Sequence, residues 1–295
     1  MTIQGGCLQQ ASALFAPAMY PLIHKTLPNG TSVSYAWFEA MHSRMDILIC
    51  GIDEWNAGRL AFLLSQETER LADLMNRFDP GSLLSQINTA PPGTPVSISR
   101  ELATILSTCR EWYRRTQGLF DITIQSPASE SSLMDAWEIT PEDTVIRHHP
   151  GIVLDLCGFA KGYAVDSCKS VLLREGVRDA LVNFGNSSVL AIGNHPHGKG
   201  WPVGLGVDEA QIEGEYKELT LHNQCLTTSG NNTTGRQHLI RPDSRQIVTG
   251  KKHVSVVTET GTVGEILSTA FFIAEKEEKE YLADQPECIS MEEHA

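Results

Sequence analysis

A chain of 295 residues with 36 acidic against 23 basic side chains carries a formal charge of −13 and a pI near 5.2. That field repels phosphate backbones and argues against a nucleic-acid partner, while leaving room for one phosphorylated ligand held locally by a metal ion or backbone N–H groups. With 41% hydrophobic and 20% charged residues the composition excludes a disordered, collagenous or coiled-coil chain, and no run of 18 apolar residues is present to cross a membrane.

Residues 1–30 read as a poorly ordered leader. Within them the stretch 10–23, QASALFAPAMYPLI, is mildly apolar, but no Lys or Arg precedes it and Pro17 and Pro21 interrupt it, unlike an export signal. Residues 31–50 predict a β-hairpin after Pro28-Asn29-Gly30. Asp53 is placed to cap a helix reaching about Asn76, with Leu60, Leu63, Leu64, Leu71 and Leu74 at helical spacing. Asp79-Pro80-Gly81 is a turn, Ser82 caps a short helix (SLLSQIN), and Pro91-Pro92-Gly93 is a loop. Ser99 caps a second long helix, 100–117, that stops at Gly118. Residues 125–150 are loop-rich.

The clearest β-α-β pattern follows: strand 152–156, a Gly-bearing turn, helix 159–175, strand 179–184 and strand 188–192. Strand-like pieces recur at 201–207, 216–223, 237–240 and 253–258, and a buried helix at 263–275. The acidic residues 276–295 read as a solvated helix or frayed end. With no internal repeat and no linker, residues 31–275 predict one continuous α+β domain. Seven cysteines, an odd number without a C-x-x-C pair, argue against a disulfide framework or a zinc site.

No P-loop, dinucleotide fingerprint, H-E-x-x-H or G-x-S-x-G is present, so function must rest on constellations. Cys157-Gly158-Phe159-Ala160-Lys161-Gly162 ends a strand and opens a helix. Free N–H groups and Lys161 there suit a phosphate, though a plain turn with a solvated lysine fits equally well. Gly185 follows an apolar strand and permits close approach of a ligand or a simple hairpin turn. Thr227 to Gly235 is a polar tract that reads as a loop or as a set of weak hydrogen-bonding groups. His238 before Ile240-Arg241-Pro242 is a general-base or phosphate-ligand candidate among ten histidines. Glu265 and Thr269 are four apart on one face of an apolar helix. They suit either a hard oxygen-ligated cation or a helix N-terminus with a back-bonded threonine.

The ordered set of these segments resembles the ApbE family of FAD:protein FMN transferases. The family pattern is roughly M-G-T; DP-x-S-x-[LI]-S-x-[LI]-N; G-x-F-D-x-T; L-D-L-x-x-x-AKG-[YF]-x-x-D; G-G after a strand; T-S-G; H-x-I-D-P; and a late A-D-x-x-S-T-A helix. Here those places read Met41-His42-Ser43; Asp79 to Asn88; Gly118-Leu119-Phe120-Asp121-Ile122-Thr123; Leu154 to Asp166; Gly185-Asn186; Thr228-Ser229-Gly230; His238-Leu239-Ile240-Arg241-Pro242; and Gly264-Glu265 with Ser268-Thr269-Ala270. The resemblance implies mixed and antiparallel sheets with helices, and FAD held in a cleft between two lobes. It implies Mg²⁺ on Glu265, Thr269 and the Ala160 carbonyl, with His238 as catalytic base. Met41, Asp79, Ser82, Ser85, Asn88, Thr123, Lys161, Asp166, Gly185, Asn186, Ser229 and Gly230 would bind the flavin nucleotide. FMN would pass from FAD to a Thr or Ser hydroxyl of an acceptor flavoprotein subunit, with AMP released. The resemblance also implies work outside the cytoplasmic membrane.

Four places depart from the pattern: His42 replaces Gly, Asn186 replaces Gly, Arg241 replaces Asp, and Glu265 replaces the metal-binding Asp. They leave two alternatives to transfer, an FAD-binding protein without catalysis and a metal-dependent FAD pyrophosphatase.

Overall fold

The computed structural model describes residues 20–127, 133–205, 217–231, 239–250 and 252–294. Its main body is an eight-stranded sheet with every neighbour antiparallel. The strands, in spatial order, are β1 (Leu22–Thr26), β2 (Ser32–Ala40), β3 (Ser43–Cys50), β7 (Ala180–Phe184), β8 (Ser188–Ile192), β11 (Cys225–Gly230), β12 (His253–Thr258) and β13 (Ser290–His294). A three-stranded sheet is formed by β4 (Val96–Ser97), β6 (Thr144–Arg147) and β5 (Trp137–Ile139), and a pair by β9 (Trp201–Gly204) and β10 (Glu218–Leu221).

The large sheet separates two apolar clusters by side-chain parity, since successive residues of a strand point to opposite faces. Met45, Ile47, Ile49, Val182, Phe184, Leu190, Val254 and Val256 face the helices and join the main core. Leu48, Leu181, Val189, Ala191, Leu226 and Val257 face the other way, onto Trp201 and Leu221 of the small pair. Trp201 fixes that contact by donating Nε1–H to the Ile192 carbonyl at 2.8 Å.

The helices on the core face are α1 (Glu54–Met75), α2 (Leu83–Thr89), α3 (Arg100–Arg115), α4 (Cys157–Arg174) and α5 (Gly261–Ile273), with α6 (Lys276–Ala283) after them. Local capping chemistry sets the starts of the first three. Asp53, Ser82 and Ser99 each accept the backbone N–H three residues on, at 2.9, 3.0 and 3.2 Å.

The expected strand at 152–156 is not one. Its alternate residues Ile152, Leu154 and Leu156 are buried, which produced the strand-like pattern, but side chains replace the ladder. Asn88 brackets Leu154, donating to its carbonyl at 2.9 Å and accepting its N–H at 2.8 Å, and Ser126 Oγ accepts the Val153 N–H at 2.9 Å. The predicted polar loop at 227–230 belongs instead to β11, an interior strand. β1 lies inside the stretch expected as a leader. The acidic tail, expected to be a solvated helix or frayed end, does supply a helix, α6, but also the edge strand β13, whose register pairs His294 with His253. Edge strands need only one apolar face, so their sequences carry a weak strand signal.

Candidate active site

Helix α5 is placed by its own N-terminus. Asp166 on α4 accepts the N–H groups of Gly261 at 2.7 Å and Thr262 at 2.8 Å, and the Thr262 hydroxyl at 2.6 Å. Burial nevertheless pushes the Asp166 carboxyl above its ordinary range, against the lowering effect of these bonds. The two helices then cross where neither has a side chain. A Cβ on Gly162 would strike the Gly261 carbonyl and come within 2.7 Å of Glu265 Cγ, and a Cβ on Gly261 would strike Val165. Gly264 lies equally close on Thr227 of β11.

This approach buries Glu265, which is 6% exposed, between α4 and β8. Ser188 faces it because it has the same parity as the core residue Leu190, and its hydroxyl donates to Glu265 Oε1. Burial raises the Glu265 carboxyl above the usual carboxylate range, and the nearby Lys161 charge and the Ser188 bond oppose that rise. One turn on, Thr269 Oγ1 lies 3.4 Å from Ser229 Oγ, which also meets Ser268 Oγ at 2.9 Å.

Glu265, Thr269, Ser229, Gly230, Lys161 and Gly158 line one cavity of about 320 Å³. Lys161 donates to Ser187 Oγ. The opposite wall is the loop Leu119 to Gln125, including Asp121, and the hairpin that carries Leu239, Ile240 and Pro242. A second cavity of about 170 Å³ adjoins it, sharing Cys157 and Lys161, and is lined by Met41, His42, Asn76, Arg77, Phe78 and Ala160. Met41 and His42 form the two-residue turn between β2 and β3 with φ of 48° and 56°. Such turns require the left-handed region at both central positions, where a non-glycine residue is strained.

The structure therefore brings together Glu265, Thr269, Lys161, Ser229 and Gly230 in one cavity, and Met41 and Ala160 in its neighbour. Several other residues expected to bind the nucleotide line neither cavity and make scaffold hydrogen bonds. Asp166 commits both oxygens to α5. Asp79 Oδ1 accepts the Gly81 N–H at 2.9 Å in its turn. Ser82 caps α2 and donates to the Asn76 carbonyl, Ser85 supplies the N–H that Ser82 accepts, and Asn88 brackets Leu154. Thr123 donates its hydroxyl at 2.6 Å and its N–H at 2.7 Å to Asp121 Oδ1, so Asp121 is the cleft residue and Thr123 its support.

Gly185 and Asn186 shape the β7–β8 turn, with φ of 64° and 57°. A Cβ at Gly185 would fall 2.8 Å from Ser43 Oγ, so this glycine makes room for Ser43 of the neighbouring strand and does not line either cavity. His238 lies outside the described residues. Residues that the motif reading passed over are Asp121, Ser187 and Ser188. Asp121 stood inside a quoted motif, and Ser188 was legible only from strand parity.

The donors around Glu265 and Thr269 are all oxygens. Among the described residues no group of three His, Cys, Asp or Glu side chains converges. One buried carboxylate and hydroxyls suit a hard cation that takes its remaining ligands from water and phosphate.

A family model described as the ApbE family matches residues 41–291. The FAD:protein FMN transferase of Chlamydia pneumoniae is 29% identical over 195 residues, covering 57% of this chain and 59% of that protein. The FAD:protein FMN transferase of Rhodobacter capsulatus is 23% identical over 285 residues, covering 84% of this chain and 53% of that protein. The matches thus span little more than half the length of these relatives. In structure, the flavin transferase ApbE from Vibrio cholerae superposes with a TM-score of 0.74 at 16% identity, over 94% of this chain and 97% of that one. The ApbE protein from Thermotoga maritima gives 0.67 at 21% identity, over 91% of each chain. At these identities the likeness is one of fold.

Proposed function

Since the chain belongs to the ApbE family, we propose that it transfers FMN from FAD to a Thr or Ser hydroxyl of a target protein and releases AMP. The observation that carries this reading is the placement of Glu265, Thr269, Lys161 and Ser229 around one cavity, which apolar residues such as Phe120, Ile122 and Leu239 also line. Glu265 and Thr269, with a carbonyl from the turn at Ala160, are the residues that would hold Mg²⁺. The fit rests on the Glu265 carboxylate, which is buried, accepts from Ser188 and shares its cavity with the hydroxyls of Thr269 and Ser229 and with Lys161. Bound there, Mg²⁺ supplies charge neutralisation for a pyrophosphate and its leaving group.

The chain's own groups account for the rest. The acceptor hydroxyl oxygen bonds to the FMN phosphorus while the bond from that phosphorus to the AMP oxygen breaks. AMP leaves with the electron pair, and Lys161 is the cation stationed beside the site. His238 is our candidate for taking the hydroxyl proton, as its residue type and motif position fit. Ser229 orients Thr269, and Asp121 with its Thr123 support shapes the facing wall.

Incubation with FAD, Mg²⁺ and a threonine-bearing acceptor should yield an acceptor that carries covalent flavin fluorescence through denaturation, with one AMP per flavin. FMN and AMP formed equally well without acceptor would select pyrophosphatase chemistry. Tight FAD binding with no AMP under any condition would leave a binding protein and overturn the reading.

A further inference from the structure

We propose that Arg241 is a positioning residue that sets one wall of the cleft by tying the hairpin 239–248 to the C-terminal end of α5. The hairpin has little of its own to hold it. Among the described residues its backbone bonds are Arg241 N–H to the Gln246 carbonyl and Arg245 N–H to the Arg241 carbonyl, both at 2.9 Å, and Val248 N–H to the Leu239 carbonyl at 2.8 Å. Leu239 and Ile240 are half-buried and Ile247 is exposed. A two-stranded ribbon of this size is marginal unless something else fixes it.

Two arginines and an asparagine do so. Arg241 Nη1 donates to the Ile273 carbonyl at the end of α5 and to Glu278 Oε2, both at 2.9 Å, and Nη2 donates to Glu278 Oε1 at 2.8 Å. Asp243 accepts from Nε at 2.9 Å and holds the guanidinium plane. At the other end Arg245 donates to the carbonyls of Ile124 at 2.7 Å and Ser126 at 2.9 Å, beside the facing loop. Asn231 Nδ2 reaches the Val248 carbonyl at 2.7 Å.

The Arg241 tie has the most direct bearing on the cavity. Leu239, Ile240 and Pro242 line it, and so does Ile273, whose carbonyl Arg241 grips one turn beyond Thr269. An acid at 241, the family's residue, would face Glu278 and a carbonyl oxygen and be repelled by both. The planar fork of arginine meets all three acceptors at once, which a lysine cannot do. The departure from the family pattern is thus matched by Glu278 in the first turn of α6.

This inference rests on the flavin reading only for its ligand, and two readouts separate them. Arg241→Met should raise the Kd for FAD, measured by flavin fluorescence in Mg²⁺, by roughly 10-fold, the scale of one charge-assisted hydrogen bond. Arg59→Met removes a comparable ion pair with Glu175 at the far end of α4. It should lower the thermal midpoint by a similar amount and leave the Kd unchanged. Arg241→Lys should not restore binding, whereas Arg241→Glu combined with Glu278→Arg should recover part of it. Amide exchange at Arg245 and Val248 should quicken in Arg241→Met and stay as in wild type in Arg59→Met. Unchanged exchange and a Kd within twofold of wild type would overturn the proposal. Wild-type protein that binds no FAD would overturn the flavin reading, and exchange would then decide the positioning role alone.

Discussion

On one side of the cleft α4 and α5 meet at Gly162 and Gly261 with no side chain between them, over a core face of the large sheet. On the other side the hairpin 239–248 is held largely by side chains gripping backbone carbonyls. The first wall is fixed by close packing and resists deformation. It can therefore keep Glu265 buried at a cost that only a preorganised site would justify. The second is fixed by individual, part-buried side-chain hydrogen bonds to backbone carbonyls, which another matched pair of polar groups can replace. The difference teaches where this chain tolerates departures. Arg241 and its partner Glu278 carry a charge reversal on the hairpin wall, while the packed wall departs only conservatively, with Glu265 in place of an aspartate and Gly162 of the motif kept.

The sharpest way to break the comparison is at the crossing. Gly162→Ala puts a methyl group against backbone of α5, and overpacking of this kind should cost about 3 kcal/mol. Thermal denaturation should show the loss, and a midpoint within 2 °C of wild type would mean that the wall is softer than the packing implies (1 kcal/mol is roughly 2–4 °C at this size). Next comes the buried charge. Glu265→Gln keeps an acceptor for Ser188 but removes the carboxylate that burial disfavours. Transfer activity should fall by roughly 100-fold or more, the range seen for single electrostatic groups in active sites. The metal-free protein should at the same time become more stable at neutral pH, by on the order of 1 kcal/mol. A variant that is both inactive and less stable would contradict the idea that the site is kept at a stability cost.

Two smaller substitutions sharpen the picture. Thr227 is fully buried and its hydroxyl has no hydrogen-bond partner among the described residues. Thr227→Val should therefore stabilise by about 1 kcal/mol in urea titration. His42→Gly should gain about 1 kcal/mol by relieving the left-handed turn at φ 56°. A loss at either position would show that the side chain makes a contact worth more than the strain or the unmet hydroxyl.

The smallest effect lies on the exchangeable wall. Glu278 has its pKa held below the ordinary 4.5, first by the Arg241 hydrogen bonds. Because the folded value is lowered, the stability it contributes is present above 4.5 and is lost as pH falls through the folded value. The Glu278 side chain is 29% exposed, so solvent screening keeps the contribution below about 1 kcal/mol. The stability gap between wild type and Glu278→Gln should accordingly shrink to nothing in acid, and a gap that persists there would assign the effect to packing.

Much of the helical framework was legible in the chain. The caps at Asp53, Ser82 and Ser99 and the apolar spacing of α1 and α3 are settled within three or four residues, and the helices begin where those signals stand. Of the residues in the ordered motifs, Glu265, Thr269, Lys161, Ser229 and Gly230 line one cavity. Other polar residues of the same motifs serve the scaffold. Asp166, Asn88 and Thr123 read as ligand contacts, yet they cap a helix, bracket an extended segment and brace Asp121. A motif records that a polar group is needed but not whether a ligand or the backbone needs it.

Strand β11 was hidden for a related reason. Thr227 and Ser229 face α5 while Thr228 bonds Ser255 at 2.7 Å across the sheet, so both faces of an interior strand are polar and the alternation vanishes. Whatever depends on neighbours along the chain — caps, turns, helix periodicity and the family pattern itself — was determined by the sequence alone. The crossing of α4 and α5, the burial of Glu265, the pairing of β3 with β7 and the grip of Arg241 on Ile273 were decided only in three dimensions. They join groups from about 30 to more than 100 residues apart, and their energies come from burial and hydrogen bonds that do not exist until the chain has closed on itself.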